Sequence, residues 1–416
     1  MEEKYQIDTV ENKEFLTKSV EELLRFGHHF PSPEGSSWYL GDDGTPWKDR
    51  NRETWITSRM AHVYSIGILL GHEGSERLAD AALRGLEGEL KDKKNGGWYA
   101  GVTSEGNILP GKQCYAHAFV ILAATSAFLA GRPGASNLLE EALELFDRRF
   151  WDEEEGLAVD MWNTEFTILD DYRGINANMH TVEAFLAVAD ATGMEEYIDR
   201  AGRIIYRVIG WAKDNNWRIT EHYTKDWEPD LMKNKEKPDD PFKPYGATPG
   251  HGIEWARLIT QWAMSKKKTE KEEGWETPYI EVAENLFHRA VSDAWNTDGA
   301  PGIVYTTDWN GKPCVHDRMH WTLAEAINTS AVLFRVTGKK YYADLYEQFM
   351  KYLDEKVMDH VHGSWFHQLD KENQPIGTVW PGKSDIYHAL QAMLIPYKEM
   401  DKSIALAVRD DISGKD

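Results

Sequence analysis

A closed ring of helix pairs follows from three features of this 416-residue sequence: an (α/α)6 barrel of about twelve helices with short β-hairpins at one mouth. A short aromatic motif recurs at intervals near ~60 residues. The segments between its copies carry apolar residues at helical spacing. The first and last helical segments are each apolar on one face, as the two halves of a final pair would be.

The motif appears as Ser37-Trp38-Tyr39-Leu40, Gly97-Trp98-Tyr99, Gly156-Leu157-Ala158-Val159, Asn216-Trp217-Arg218-Ile219, Gly302-Ile303-Val304-Tyr305 and Ser364-Trp365-Phe366. Turn signals such as Gly41-Asp42-Asp43-Gly44 and Asp308-Trp309-Asn310-Gly311 follow most copies, which therefore read as small hairpins. One interval, between Trp217 and Ile303, is enlarged. It contains the charged stretches Lys225 to Lys243 and Lys266 to Glu276, which read as insertion loops.

The helices are justified in order by period. Thr9–Phe26 is the first. Thr54–Leu70 places Ile56, Met60, Val63, Tyr64, Gly67 and Ile68 near one stripe, and Glu76–Leu90 follows with Leu78, Ala82, Leu86 and Leu90. The two-helix rhythm repeats at Tyr115–Ala130 and Ser136–Phe150, Met179–Ala191 and Glu195–Ala212, His251–Met264 and Pro278–Ala294, and Met319–Val336 and Lys340–Val357. Asp385–Lys398 is the last. Gly71, Gly131-Arg132-Pro133-Gly134, Gly193 and Gly338 separate the pairs. No Val/Ile-rich strands alternate with the helices, which argues against a TIM barrel or doubly wound sheet. An open solenoid would carry polar capping repeats. The two half-apolar ends instead predict closure into one catalytic domain spanning residues 1–416.

Composition bounds the partners. The chain carries 47 basic and 69 acidic residues, a net charge of −22. Such a balance argues against nucleic acid and anionic membrane surfaces. The most apolar stretch, Ala118 to Gly131, is too short to span a bilayer. The start, Met-Glu-Glu-Lys-Tyr-Gln, lacks a basic n-region with an apolar run behind it. Two cysteines, Cys114 and Cys314, exclude a disulfide framework, and the expected location is the cytoplasm. The 17 Trp and 18 Tyr suit the flat faces of sugar rings, although most of these rings serve as core filler. Oligomeric state is not legible.

Each motif is followed by a helix start rich in chemistry: Trp55-Ile56-Thr57-Ser58-Arg59, Tyr115-Ala116-His117, Asn176-Ala177-Asn178-Met179-His180, Pro249-Gly250-His251-Gly252-Ile253-Glu254-Trp255, His320-Trp321 with Glu325, and Trp380 to His388. In a closed barrel these six starts converge on one mouth, with helix dipoles favouring developing negative charge there. A lone His on a helix is more often structural, and His28, His29, His62, His72, His222, His288, His316, His360, His362 and His367 are read so. His251 and His388 are read as functional: His251 follows Pro-Gly at a helix start with Glu254 at i+3, and His388 occupies the equivalent place in the last repeat. His180 and Arg59 lean the same way, with a buried ion pair as the alternative for Arg59; His117 and His320 are evenly balanced. There is no His-Glu-x-x-His, no Cys/His pairing, no phosphate loop and no Gly-x-Ser-x-Gly elbow. Neither a metal nor a cofactor is expected.

These segments, spread over nearly the full length, resemble those of the N-acylglucosamine 2-epimerase superfamily of (α/α)6-barrel sugar epimerases and isomerases, and most closely its branch of D-mannose and sulfoquinovose isomerases. The resemblance implies that His251 and His388 are the acid/base pair. It also implies that Arg59, Tyr115, Asn176, His180, Glu254, Trp321, Glu325 and Trp380 line the sugar site. Ser384 departs from the Pro expected in mannose isomerases.

An aldose–ketose isomerase opens the sugar ring and moves a proton between C2 and C1 while the enediolate oxygens are stabilised. His388 is the expected carbon base and His251 the ring opener. Glu254 orients His251 or holds a hydroxyl, Arg59 and His180 meet the oxygens, and Trp55, Trp321 and Trp380 stack on the sugar. The expected substrate is a neutral monosaccharide, D-mannose to D-fructose with D-lyxose to D-xylulose beside it. Sulfoquinovose stays open through Arg59 or Lys383. A 2-epimerase acting on mannose/glucose or cellobiose, a glycoside hydrolase using Glu254 and Glu325, and a noncatalytic sugar-binding barrel are the alternatives.

Overall fold

A computed structural model describes residues 2–413. Helix α1 (Val10–Phe26) is capped by Thr9, whose hydroxyl accepts from the Asn12 N–H at 3.1 Å. Then come the pairs α2 (Thr54–Leu69) and α3 (Ser75–Glu87), α4 (Cys114–Leu129) and α5 (Ala135–Arg149), and α6 (Ile175–Thr192) and α7 (Glu196–Asp214). They continue with α8 (Pro249–Lys267) and α9 (Thr277–Ala294), then α10 (His320–Thr337) and α11 (Lys340–Tyr352). Helix α12 (Tyr387–Leu394) packs on α1 and touches both α10 and α2, so the ring closes. The even-numbered helices to α12 form the inner ring and the odd-numbered ones to α11 the outer ring.

The two rings differ as burial demands. Helices α2 and α4 are buried on nearly every face; α4 is apolar nearly all round, while α2 also buries polar residues such as Arg59 and His62. The outer helices α3 and α7 carry one apolar face each. Gly193 and Gly338, with φ of 75° and 67°, end α6 and α10 in the left-handed conformation that a side chain resists.

Hairpins line one mouth. Bridges Pro31↔Ser37, Lys91↔Trp98, Trp295↔Ile303 and Met358↔Trp365, and the ladder Trp151–Asp152 with Leu157–Ala158, follow five of the outer helices. The fourth copy differs: Asn216 and Trp217 turn through positive φ, and the Trp217 N–H returns to the Ala212 carbonyl. The residues ahead of an inner helix pair with the next repeat, as Arg52–Glu53 does with Gly101–Val102 and Arg318–Met319 with Gln368–Leu369. The last repeat meets the first: Lys383 N–H donates to the Leu40 carbonyl at 2.9 Å, and Leu40 N–H donates to Ser384 Oγ at 2.7 Å. The departure at Ser384 is thus a bond that closes the ring.

Buried ion pairs latch the mouth. Lys112 pairs with Asp92, Arg318 with Asp298, and Lys383 with Asp359, each joining the approach to an inner helix with the turn after the preceding outer one. Lys383 is fully buried in this latch and does not line the pocket at the mouth.

Three details differ from expectation. Helix α11 stops at Tyr352 and passes into a π turn, Leu353–Val357. Helix α12 is shorter than expected at both ends, because Asp385 is drawn into an ion pair and Ile395–Tyr397 tightens into a 3₁₀ turn before Lys398. An extra helix, α13 (Ile404–Ser413), packs beneath α2, α4 and α6 at the end opposite the hairpins. Among the described residues no helix is long and apolar enough to cross a membrane. Cys114 and Cys314 are both free.

Candidate active site

The inner helices start at the hairpin mouth, so their second or third residues share one level around the axis. Trp55, Tyr115, Asn176, His251, Trp321 and His388 all line a pocket there. One helical turn deeper come Arg59, His180 and Glu254, which form its floor. The structure therefore brings together every site residue expected from the sequence except Glu325, which lies fully buried behind His388.

Each of the two central histidines is backed by a carboxylate. His251 Nδ1 lies 2.9 Å from Glu221 Oε2, and His388 Nδ1 lies 3.2 Å from Glu325 Oε1. A carboxylate accepts from Nδ1–H, which leaves Nε2 as the lone-pair nitrogen of each neutral ring. The Trp321 ring sits by both, with centroids 4.9 Å from His251 and 5.9 Å from His388.

Glu221 replaces Glu254 as the partner of His251. It precedes the strand His222–Tyr223, which pairs with Arg173–Gly174, and its carbonyl accepts from Ile175 at the start of α6. The sequence offers only a carboxylate between Trp217 and Tyr223, just after the fourth motif copy; that this segment is almost wholly buried belongs to the fold. Its partner 30 residues away was not legible.

Glu254 instead faces Arg257 at 3.5 Å, and Arg257 Nε donates to Glu325 Oε2 at 2.7 Å. Burial and the nearby Glu325 charge push the Glu254 carboxyl well above the ordinary range, and its Oε2 is buried without a partner. Burial acts on Glu325 too, but Arg257 and the bond to His388 outweigh it and hold Glu325 low. Glu183 accepts from Tyr387 and from Gln391 at 3.1 Å, and its Oε2 lies 3.3 Å from His180 Nδ1. Burial lowers His180 to about 4. Arg59 is both an ion-pair member and a pocket residue: it donates to Asp385 at 2.8 Å and to the Tyr115 hydroxyl at 2.8 Å.

The residues that sequence reasoning missed include Asp385, Tyr305, Phe242 and His367, while His320, evenly balanced in the sequence, lines the pocket. Phe242 belongs to the stretch read as a mere insertion. It is 47% exposed, and its ring stands edge-on to Trp55 and Trp380 at 6.3 and 5.2 Å. His367, read as structural, lines the pocket beside His320. His117 is structural: its Nδ1 lies 2.7 Å from the Gln113 carbonyl, and its Nε2 accepts from the Trp98 N–H at 3.2 Å. Ligand atoms of His180, Glu183 and Glu254 lie within 4.8 Å of one another, a donor set of the kind that holds metal ions.

Paired histidines, carboxylates and aromatic faces in the mouth of an (α/α)6 barrel define a class of sugar-transforming proteins. The chain belongs to the N-acylglucosamine 2-epimerase (GlcNAc 2-epimerase) family, whose model matches residues 35–392. It is 41% identical over 371 residues to D-mannose isomerase of Pseudomonas cannabina pv. alisalensis, covering 89% of each chain. It is 39% identical over 400 residues to D-mannose isomerase of Thermobifida fusca, covering 95% of this chain and 97% of the other. A crystal structure of a D-mannose isomerase superposes with a TM-score of 0.83 at 27% identity, covering 91% of this chain and 96% of that one.

Proposed function

We propose that this chain is an aldose–ketose isomerase that interconverts D-mannose and D-fructose, with D-lyxose and D-xylulose as a second pair. The observation that carries this reading is the pair of carboxylate-backed histidines, His251–Glu221 and His388–Glu325, on either side of Trp321. The resemblance to D-mannose isomerases over most of the chain supports it.

His388 Nε2 takes the proton from C2 and returns it to C1. The Glu325 carboxylate, kept ionised by Arg257, stabilises the imidazolium that forms. His251 moves a proton from O1 to the ring oxygen in ring opening and then from O2 to O1 across the enediolate, with Glu221 in the same supporting role. Glu254, protonated because of its burial, donates to a sugar oxygen from the unpartnered Oε2. Arg59 meets the charge that develops on the enediolate oxygens, and His180, a neutral ring whose Nδ1–H faces Glu183, accepts from a sugar hydroxyl. Trp55, Trp321 and Trp380 supply apolar faces and exclude water.

A 2-epimerase is the second reading, because two histidines flank one aromatic, an arrangement that suits proton removal from one face of C2 and return to the other. A hydrolase is disfavoured by the geometry: Glu254 and Glu325 are joined through Arg257, and Glu325 does not line the pocket.

Product analysis after incubation with D-mannose, D-lyxose, cellobiose, sulfoquinovose and mannan in deuterium oxide tests this. Fructose from mannose, labelled at C1, is the expected result. Label in glucose shows reprotonation from both faces and converts the reading to an epimerase. New reducing ends from mannan sink both.

Prolonged chelation should leave the rate on mannose unchanged, since the proposed steps run through His and Glu side chains. Loss of rate with recovery on adding a divalent ion would give His180, Glu183 and Glu254 a ligand role and displace His388 as carbon base.

A further inference from the structure

His320 opens α10, and His367 lies beside the strand Gln368–Leu369 that pairs with the approach to that helix. Their rings stack 4.0 Å apart with an interplanar angle of 9°. Both residues line the pocket and are buried, at 5% and 6% exposure, and the Nε2 atom of each is buried without a hydrogen-bond partner. Such orphans are costly unless a ligand or water meets them.

The tautomers follow from the other nitrogens. His320 Nδ1 lies 3.4 Å from the His367 carbonyl, which can only accept, so Nδ1 carries the hydrogen and Nε2 the lone pair. The Asp385 carbonyl has the same influence on His367. Burial lowers both rings, His320 to about 4. The nearest charge to His320 Nε2 is the Asp385 carboxylate at 3.7 Å, already held by Arg59. Lone pair and carboxylate thus face each other with no donor between them. The His320 ring centre is 6.3 Å from that of His388, about the width of a sugar ring away from the proposed carbon base.

We propose that His320 and His367 are specificity-determining residues, a stacked pair of neutral acceptors that receives two hydroxyls of the sugar remote from C1 and C2. Two lone pairs beside a carboxylate attract hydroxyl donors and repel an anionic substituent. The pair therefore selects polyhydroxy sugars over deoxygenated, sulfonated or phosphorylated ones. This rests on the isomerase reading above and names what decides its substrate class.

The test is a grid of substrates and variants. Wild type and His367→Phe, which keeps the ring stack and removes both nitrogens, are assayed on D-mannose, 4-deoxy-D-mannose, 6-deoxy-D-mannose and sulfoquinovose. Wild type should prefer mannose over at least one deoxy sugar by about tenfold or more in kcat/KM, the effect of leaving a buried acceptor unmet. In His367→Phe that preference should collapse to within a few fold through a rise in KM for mannose, with kcat little changed. His367→Gln, whose amide oxygen restores an acceptor, should recover it. If His367→Phe does not fold, His320→Phe reads the same pair. A folded variant that keeps the full wild-type discrimination against every analogue overturns the proposal, as does a wild type that prefers sulfoquinovose. Failure of the isomerase reading looks different, because wild type would then give no ketose from mannose.

Discussion

His388→Ala is expected to lose at least about a hundredfold in kcat on D-mannose, the usual scale for a positioned acid/base group. His388 is the second residue of α12 and faces the pocket with its partner Glu325 behind it. Removing the imidazole removes the proposed carbon base and leaves the Glu325 carboxylate paired with Arg257, so the fold should persist. Thermal unfolding checks the fold, and deuterium exchange checks the role. In His388→Ala, exchange at C2 of mannose should fall with kcat. In His251→Ala turnover should fall as steeply on the cyclic sugar, through ring opening. Exchange that continues in His388→Ala near the wild-type rate assigns the carbon base to another group and removes His388 from the centre of the mechanism.

Arg257→Met is expected to be the most destabilising single change on the barrel axis, at about 3–5 kcal/mol, the range for removing one partner of a buried ion pair. Arg257 is 3% exposed and stands between Glu254 and Glu325, with the Glu183 charge also felt. Its loss leaves Glu325 buried without its main cation. The pH dependence follows with a definite sign. In the native chain Glu325 is held below the ordinary carboxylate range, so its contribution is present above that range and is lost as pH falls. In the variant burial dominates, the folded-state value rises, and stability should fall as pH rises toward neutrality. Urea unfolding at pH 5 and pH 7 reads this, with a larger deficit expected at pH 7. A variant equal to wild type at both pH values would show that Arg257 carries no such burden.

The sequence was most legible where a feature repeats or where one face of an element must be buried. The ~60-residue motif spacing and the helical periodicity lead to the ring of pairs, and the half-apolar α1 and α12 lead to its closure. The inner-helix starts lead to the site, because residues at equivalent positions of equivalent helices must converge once the ring closes. Trp55, Tyr115, Asn176, His251, Trp321 and His388 share one level for that reason.

Tertiary structure alone decided the pairings across the axis. A carboxylate chooses its partner by approach in space, and sequence proximity misleads: Glu254, three residues from His251, turns to Arg257, while Glu221 comes from the segment after the fourth motif copy. Lys383, a cation beside the site in sequence, is consumed by a latch with Asp359. His367 enters the pocket only because a strand pairing sets it against His320. Phe242 reaches the pocket only because its loop folds back over the mouth. Periodic burial is a local property that a chain displays along its length. Charge pairing in a desolvated core depends on contacts between residues far apart in the chain, and only the closed barrel sets those distances.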